Sequence, residues 1–205
     1  MDLKSLADSQ LGSIARRVTL GPLGTISDAV FTLRVLTEAG VLQPVRPDKL
    51  AGILRTLQRW GASPAAGIIG AAIEQPDAPA IVDEADTFTF ADVHRRSNAL
   101  ARGFRERGVR EGDGVAVMCR NHHGFIDATL ACSKLGANGL YLNTAFAGPQ
   151  LADVVEREGP SLLFYDEEFT ELLSSVSEDV PRIVAWREDG ASADEEGAEE
   201  VIAAS

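Results

Sequence analysis

The sequence predicts an α/β protein made of parallel-sheet βαβ layers, preceded by an all-helical N-terminal extension. Between Phe88 and Asp166, apolar runs of strand length alternate with longer helical patterns, the signature of βαβ units. Val115–Cys119 is continuously apolar, as expected of a strand covered on both faces. Residues 1–62 carry helical periodicity interrupted by Gly and Pro. The expected organisation is a helical extension over 1–62, an α/β subdomain over 63–187 and an acidic linker over 188–205.

In chain order, residues 3–18 form a weak apolar stripe that Gly21, Pro22 and Gly24 end. Ser27 and Asp28 start a second helix, which Gly40 caps. Pro47 opens a third, in which Leu50, Ile53, Leu54 and Leu57 recur at i, i+3, i+4 and i+7 and Trp60 closes the stripe. Lys49, Arg55 and Arg59 lie off it. Such a basic amphipathic helix has two readings: an interfacial membrane helix with Leu50, Ile53, Leu54, Leu57 and Trp60 facing lipid, or a helix packed on the domain behind it.

Ser63-Pro64 is an N-cap followed by Pro at the first helical position, for a helix running to Pro76. Ala80–Asp83 and Thr87–Phe90 read as a hairpin around Glu84-Ala85-Asp86. Thr89 and Asp92 have capping-box spacing, and the helix they open stops at Gly108. Its arginines, 95, 96, 102, 105 and 107, read as a solvated face. Then follow a strand at 115–119, a helix at 125–135 closed by Gly136, a strand at 139–143, a helix from Pro149 to Glu158 and a strand at 161–166. A short helix at 169–176 and a strand at 182–186 complete the pattern. Beyond Arg187, seven acidic residues among Gly, Ala and Ser read as a disordered, solvated linker.

Charge narrows the function. The net charge of -12 argues against non-specific nucleic-acid binding. The charge is uneven: residues 1–60 hold eight Lys and Arg against five Asp and Glu, and residues 61–205 hold eleven against twenty-six. Cys119 and Cys132 fit buried reduced thiols in a cytoplasmic compartment. The basic helix offers peripheral contact with the inner membrane face. The N-terminus has no signal-peptide pattern, and no apolar stretch approaches the roughly 20 residues needed to span a bilayer.

In an open parallel sheet, ligands sit at the carboxyl ends of strands. Here these ends are Arg120–Gly124, Thr144–Gly148 and Asp166–Glu168. The candidate substrate-site walls are Asn121, His122, Asn143, Thr144 and Phe146. Histidine in general titrates near neutrality, which invites a catalytic reading of His122 and His123, yet the sequence names no partner for either, so surface or capping roles are expected of them rather than catalysis. Asn121 suits a turn or N-cap, and Phe146 suits packing. There is no GxxxxGKS/T, GxGxxG or GxSxG pattern and no metal-ligand spacing. No catalytic, cofactor-binding or metal-ligating residue is assigned.

Three passages, read together, resemble one family. DAPAIVDEADTFTFADVHRRSNALARGFRERGV looks like the opening hairpin and long helix of the AMP-forming acyl-CoA synthetases, the adenylate-forming ligases. GDGVAVMCRNHHGFIDATLACSKLGANGLYLNT looks like their first βαβ unit, and FAGPQLADVVEREGPSLLFYDEEF like the helix, strand and helix that follow. GPQL stands where many members start a helix with Pro-x-x-Leu, and Asn143-Thr144 replaces their Asn-Pro turn. NTAFAGPQL, with RPDKL and RWG upstream, looks most like bacterial fatty-acid CoA ligases. The resemblance covers about Ala66 to Val184 and implies the family's N-terminal subdomain.

Such enzymes activate a carboxylate with ATP to an acyl-adenylate, then pass the acyl group to CoA, so the resemblance implies ATP, Mg and CoA for the full-length family and a fatty acid as substrate. The phosphate loop, the adenine and ribose motifs and the catalytic lysine are expected beyond Ser205. The chain is therefore expected to be an N-terminal fragment that binds no cofactor and is inactive alone. Where the acetyl-activating branch has an Arg that reaches CoA phosphate, this chain has Asp153, so that contact is not transferred. The alternatives are a non-catalytic module that pairs with itself or another chain through an uncovered sheet, and a peripheral membrane domain.

Overall fold

The computed structural model describes residue 31 and residues 47–187 and 196–205. The chain divides into two units, Met1–Arg46 and Pro47–Ser205. Phe31, helical and exposed, is the described residue of the first, so the expectations for 3–18 and most of 28–40 fall outside the described residues.

The second unit begins with α1 (Pro47–Trp60). α1 lies against α2 (Pro64–Glu74): Lys49 Nζ donates to the carbonyl of Glu74, and Gly52 comes up against Ile73. The face turned inward runs through Gly52 and the buried Thr56, one turn apart. The expected stripe is not that face, since Leu54 is 56% and Leu57 47% exposed. Ile53 and Trp60 are half-buried, and the side chain of Leu50 is outside the described residues. Ser63 caps α2 by accepting from Ala66 N at 3.2 Å.

β1 (Pro79–Val82) and β2 (Thr87–Thr89) form the expected antiparallel hairpin. Thr89 and Asp92 then make the capping box of α3 (Phe90–Glu106), with reciprocal bonds of 3.1 and 3.0 Å. Four parallel strands follow: β3 (Gly114–Met118), β4 (Asn138–Tyr141), β5 (Leu162–Tyr165) and β6 (Arg182–Val184). Their spatial order is β4-β3-β5-β6. β3 pairs Val115 with Leu162 on one side and with Gly139 on the other.

Period-two alternation gives the sheet two apolar faces. Val115, Val117, Leu162, Phe164 and Ile183 meet α3 and α4 (His123–Leu135). Ala116, Met118, Leu163, Tyr165 and Val184 meet α5 (Gly148–Glu158). This double cover explains why β3 and β5 read as unbroken apolar runs. Gly136 ends α4 in the left-handed conformation, φ 71°, which a side chain would strain.

Two expectations fail. Residues 169–176 do not form an α-helix but two 3₁₀ turns, Glu167–Phe169 and Leu172–Ser175. Thr170 Oγ1 donates to the Glu167 carbonyl at 2.8 Å and Ser174 Oγ to the Glu171 carbonyl at 2.6 Å, and such local bonds favour short turns over a helix. The acidic stretch is not wholly a solvated linker either. Gly197 bridges Val184 at the edge of β6, and Ala198–Ala204 form α6, which buries Ala198 and Val201 against α3. No described helix is long and apolar enough to cross a membrane.

Candidate functional site

The chain leaves β3 toward β4 on one side, then returns through α5 to β5 on the other. The reversal opens a crevice beyond the ends of β3 and β5, where doubly wound sheets bind ligands. A cleft of about 410 Å³ lies there, lined by Val82, Asp83, Glu84, Arg120, Asn121, His122, Asp166, Glu168 and Trp186.

Asp166, buried at the end of β5, organises this cleft. One oxygen accepts from Arg120 N at 2.6 Å and the other pairs with His122 Nε2 at 2.8 Å. His122 is the N-cap of α4, its Nδ1 accepting from Gly124 N at 3.0 Å. The capping role expected of Asn121 thus falls to its neighbour. Nδ1 carries the lone pair, so Nε2 carries the hydrogen given to Asp166. Both ring nitrogens are committed, which suits a fixed strut between two strand ends better than a proton shuttle.

Cys119, His122 and Asp166 place metal-type donor atoms within 4.8 Å of one another. Their chemistry does not suit a cation. Burial, with the Asp166 carboxylate beside it, holds the Cys119 thiol well above its ordinary range, so it is no thiolate. Ligation through Nε2 would break the bond to Asp166 and, by moving the hydrogen to Nδ1, the helix cap.

His123 has partners the sequence could not name. Its backbone N–H and ring Nδ1 both meet Asp83 Oδ2, at 2.8 and 2.7 Å, tying the hairpin to α4. Its Nε2 lies 3.5 Å from Glu199 of α6. Burial acts against the imidazolium, but the bonds to Glu199 and Asp83 outweigh it and raise the His123 pKa. Burial likewise opposes charge on Asp83, yet the bonds from His123 and from the amides of Asp86 and Ala85 hold it down at about 2. Trp186 stands against both imidazoles, with ring centroids 5.1 Å from His122 and 5.7 Å from His123.

Arg96 is not part of a solvated face. Its Nε donates to Asp127 at 2.8 Å and its Nη1 to Glu199 at 3.0 Å, and its guanidinium lies 4.9 Å over the Phe88 ring. Asp127 is 1% exposed, and its Oδ1 has no hydrogen-bond partner among the described residues. Burial, opposed by Arg96, pushes its pKa up to about 6.

Of the expected walls, Asn121 and His122 line the cleft, and Asn143, Thr144 and Phe146 are not among its lining residues. Asn143 accepts from Ala145 N at 2.9 Å within the loop after β4, and Phe146 packs on the core under α5. Sequence reasoning missed Asp83, Trp186, Arg96, Asp127 and Glu199. The one signal available was an acid, Asp127, inside the apolar run FIDATLAC.

The lining does not fit a triphosphate. Asp83, Glu84, Asp166 and Glu168 face one guanidinium, Arg120, which is itself forked onto Glu168 at 2.8 and 2.7 Å.

The AMP-binding enzyme family pattern matches residues 70–204. A feruloyl-CoA synthase from an Amycolatopsis species is 32% identical over 102 residues, 50% of this chain and 21% of that protein. A fatty acid–acyl-carrier-protein ligase of Streptomyces coeruleorubidus is 28% identical over 95 residues, 46% of this chain and 18% of that one. The chain thus spans about a fifth of the length of these relatives. Among solved structures, O-succinylbenzoate coenzyme A synthetase of Bacillus subtilis in complex with AMP aligns with TM-score 0.53 and 26% identity, over 58% of this chain and 30% of that one. A fatty acyl CoA synthetase of Mycobacterium tuberculosis aligns with TM-score 0.58 and 21% identity, over 70% and 28%. By its sequence match and by the fold of its parallel sheet, the chain belongs to the AMP-binding enzyme family.

Proposed function

We propose that this chain supplies the N-terminal scaffold of a ligase that activates a fatty acid with ATP and transfers the acyl group to CoA, and that alone it is inactive. The family match over residues 70–204 carries the reading. Fatty-acid ligases among its relatives support the substrate class. The acidic lining at the β3/β5 crevice supports inactivity, because it repels the polyphosphate that adenylation requires. The scaffold's part is to shape and cover a reacting site built elsewhere. The reading places the protein in the cytoplasm, in keeping with its free cysteines. The test is ATP–pyrophosphate exchange with fatty acids of several lengths: no exchange above a blank is expected, and measurable exchange would refute the inactivity.

A second reading rests on α1. Leu54 and Leu57 are exposed beside Arg55 and Arg59, the latter 5.5 Å over the Trp60 ring. That pairing of apolar and cationic groups suits an anionic lipid surface. Flotation with phosphatidylserine vesicles should fall when Leu54 and Leu57 are both changed to Ser, and equal flotation removes the idea. Pairing between chains has a simpler observation: Tyr141 is 53% exposed on the edge strand β4. Light scattering on the eluted protein tests it, and a monodisperse monomer rules it out.

A further inference from the structure

We propose that α6 is held on the body by a pH-sensitive latch, in which the Glu199 carboxylate is clamped between His123 of α4 and Arg96 of α3. The latch is tight in mildly acidic solution and loosens as the pH rises past neutrality.

The geometry has three parts. Glu199 accepts from Arg96 through both of its oxygens and stands 3.5 Å from His123 Nε2. Arg96 serves two carboxylates at once, since its Nε is bound to Asp127. Beneath these charges, Val201 sits where a Cβ on Gly103 would have to be, so α6 fits α3 as a knob in a notch. Glu199 itself is on the outer side of α6, its side chain 63% accessible. Its hold therefore depends on the charges opposite.

Those charges change in one direction. The groups facing His123 are Asp83 from the hairpin, Glu199 from α6, Arg96 from α3 and Asp127 from its own helix, with the rings of Phe88, His122 and Trp186 around it. With His123 charged and Asp127 protonated, Glu199 has two cations, and Arg96 is not shared with a second anion. Raising the pH discharges His123, which removes one cation, and ionises Asp127, which then competes for the other. His123 has a raised pKa, so its stabilising charge is present in mild acid and lost as pH climbs through its folded value. Asp127, raised to about 6, ionises over the same range. Arg107 with Glu196 and Arg187 with Glu200 also tether this segment. The outcome is loosening, not release. Trp186, which lines the cleft, stands against both imidazoles.

The experiment is amide hydrogen exchange of residues 198–204 in the full chain at about pH 5.5 and about pH 8, corrected for intrinsic exchange. Protection should fall by about threefold to fivefold at the higher pH, the size of one partly exposed ion pair, with β3 and β5 unchanged. Glu199→Gln should show the low protection at both pH values. Glu200→Gln, which removes the pair with Arg187 and keeps an amide oxygen to accept from Gly197 N, should retain the dependence. Equal protection of the native chain at both pH values overturns the latch, as does a pH response that survives Glu199→Gln or vanishes in Glu200→Gln. Independently of any variant, NMR titration of the His123 ring should give a midpoint above that of an unperturbed histidine, and a midpoint at or below it also overturns the proposal.

Discussion

α1 and α6 make opposite use of opposite sequences. α1 carries a regular apolar stripe, yet Leu54 and Leu57 of that stripe lie in solvent while the helix packs through Gly52 and Thr56. α6 is short, acidic and preceded by a run of Asp, Glu, Gly and Ala, yet it buries Ala198 and Val201 and anchors Glu199. Periodicity reports which face of a helix could be buried. Burial itself needs a complementary surface, and α6 finds one in the notch at Gly103 and the guanidinium of Arg96.

The contrast can be broken most strongly at Arg96. Arg96→Ala leaves Asp127 buried without its partner and frees Glu199, and should destabilise the fold by roughly 3 kcal/mol in urea denaturation. The double change Arg96→Met and Asp127→Leu should recover most of the loss, because it removes the buried charge together with its counterion. Next comes Gly103→Ala. The added Cβ overlaps Val201, so α6 should lift at a cost of about 1–3 kcal/mol, with exchange protection lost in residues 198–204 and kept in the sheet.

A smaller effect lies on the acid limb. The bonds from His123 and Arg96 hold Glu199 at about 2, and the bonds at Asp83 hold that carboxyl at about 2 despite its burial. Both pKa values are depressed in the fold. Their stabilisation is therefore present above the ordinary carboxylate range and is lost as pH falls toward 2. Thermal melts of Asp83→Asn should show a shallower loss of stability on that limb than the native chain. The smallest effect belongs to α1: Leu54→Ser with Leu57→Ser should shift stability by less than about 0.5 kcal/mol, because neither side chain is buried. A larger shift would mean that the stripe packs in solution and would remove the contrast with α6.

Much of the fold was legible because its signals are local. The Thr89 and Asp92 capping box, the Gly136 cap, the Ser63-Pro64 start and the apolar runs of β3 and β5 each need only a few neighbouring residues to be read. Part of the cleft was legible as well, since strand ends in an open α/β sheet are where loops carry ligand groups. Asn121 and His122 were named on that ground, and both line it. Asn143, Thr144 and Phe146 were named on the same ground and lie elsewhere, because a strand-end rule does not say which two strands flank the reversal.

The sequence alone determined the helices and strands with local stop signals, the two-sided burial of the sheet and the absence of a Gly-rich phosphate loop from these residues. Tertiary structure decided the rest. It set the strand order β4-β3-β5-β6 and hence the position of the crevice. It also paired His122 with Asp166, His123 with Asp83 and Arg96 with Glu199, across 44, 40 and 103 residues of chain. Electrostatic pairing acts through space between groups that only folding brings together, and no local pattern encodes which carboxylate a histidine or an arginine will meet.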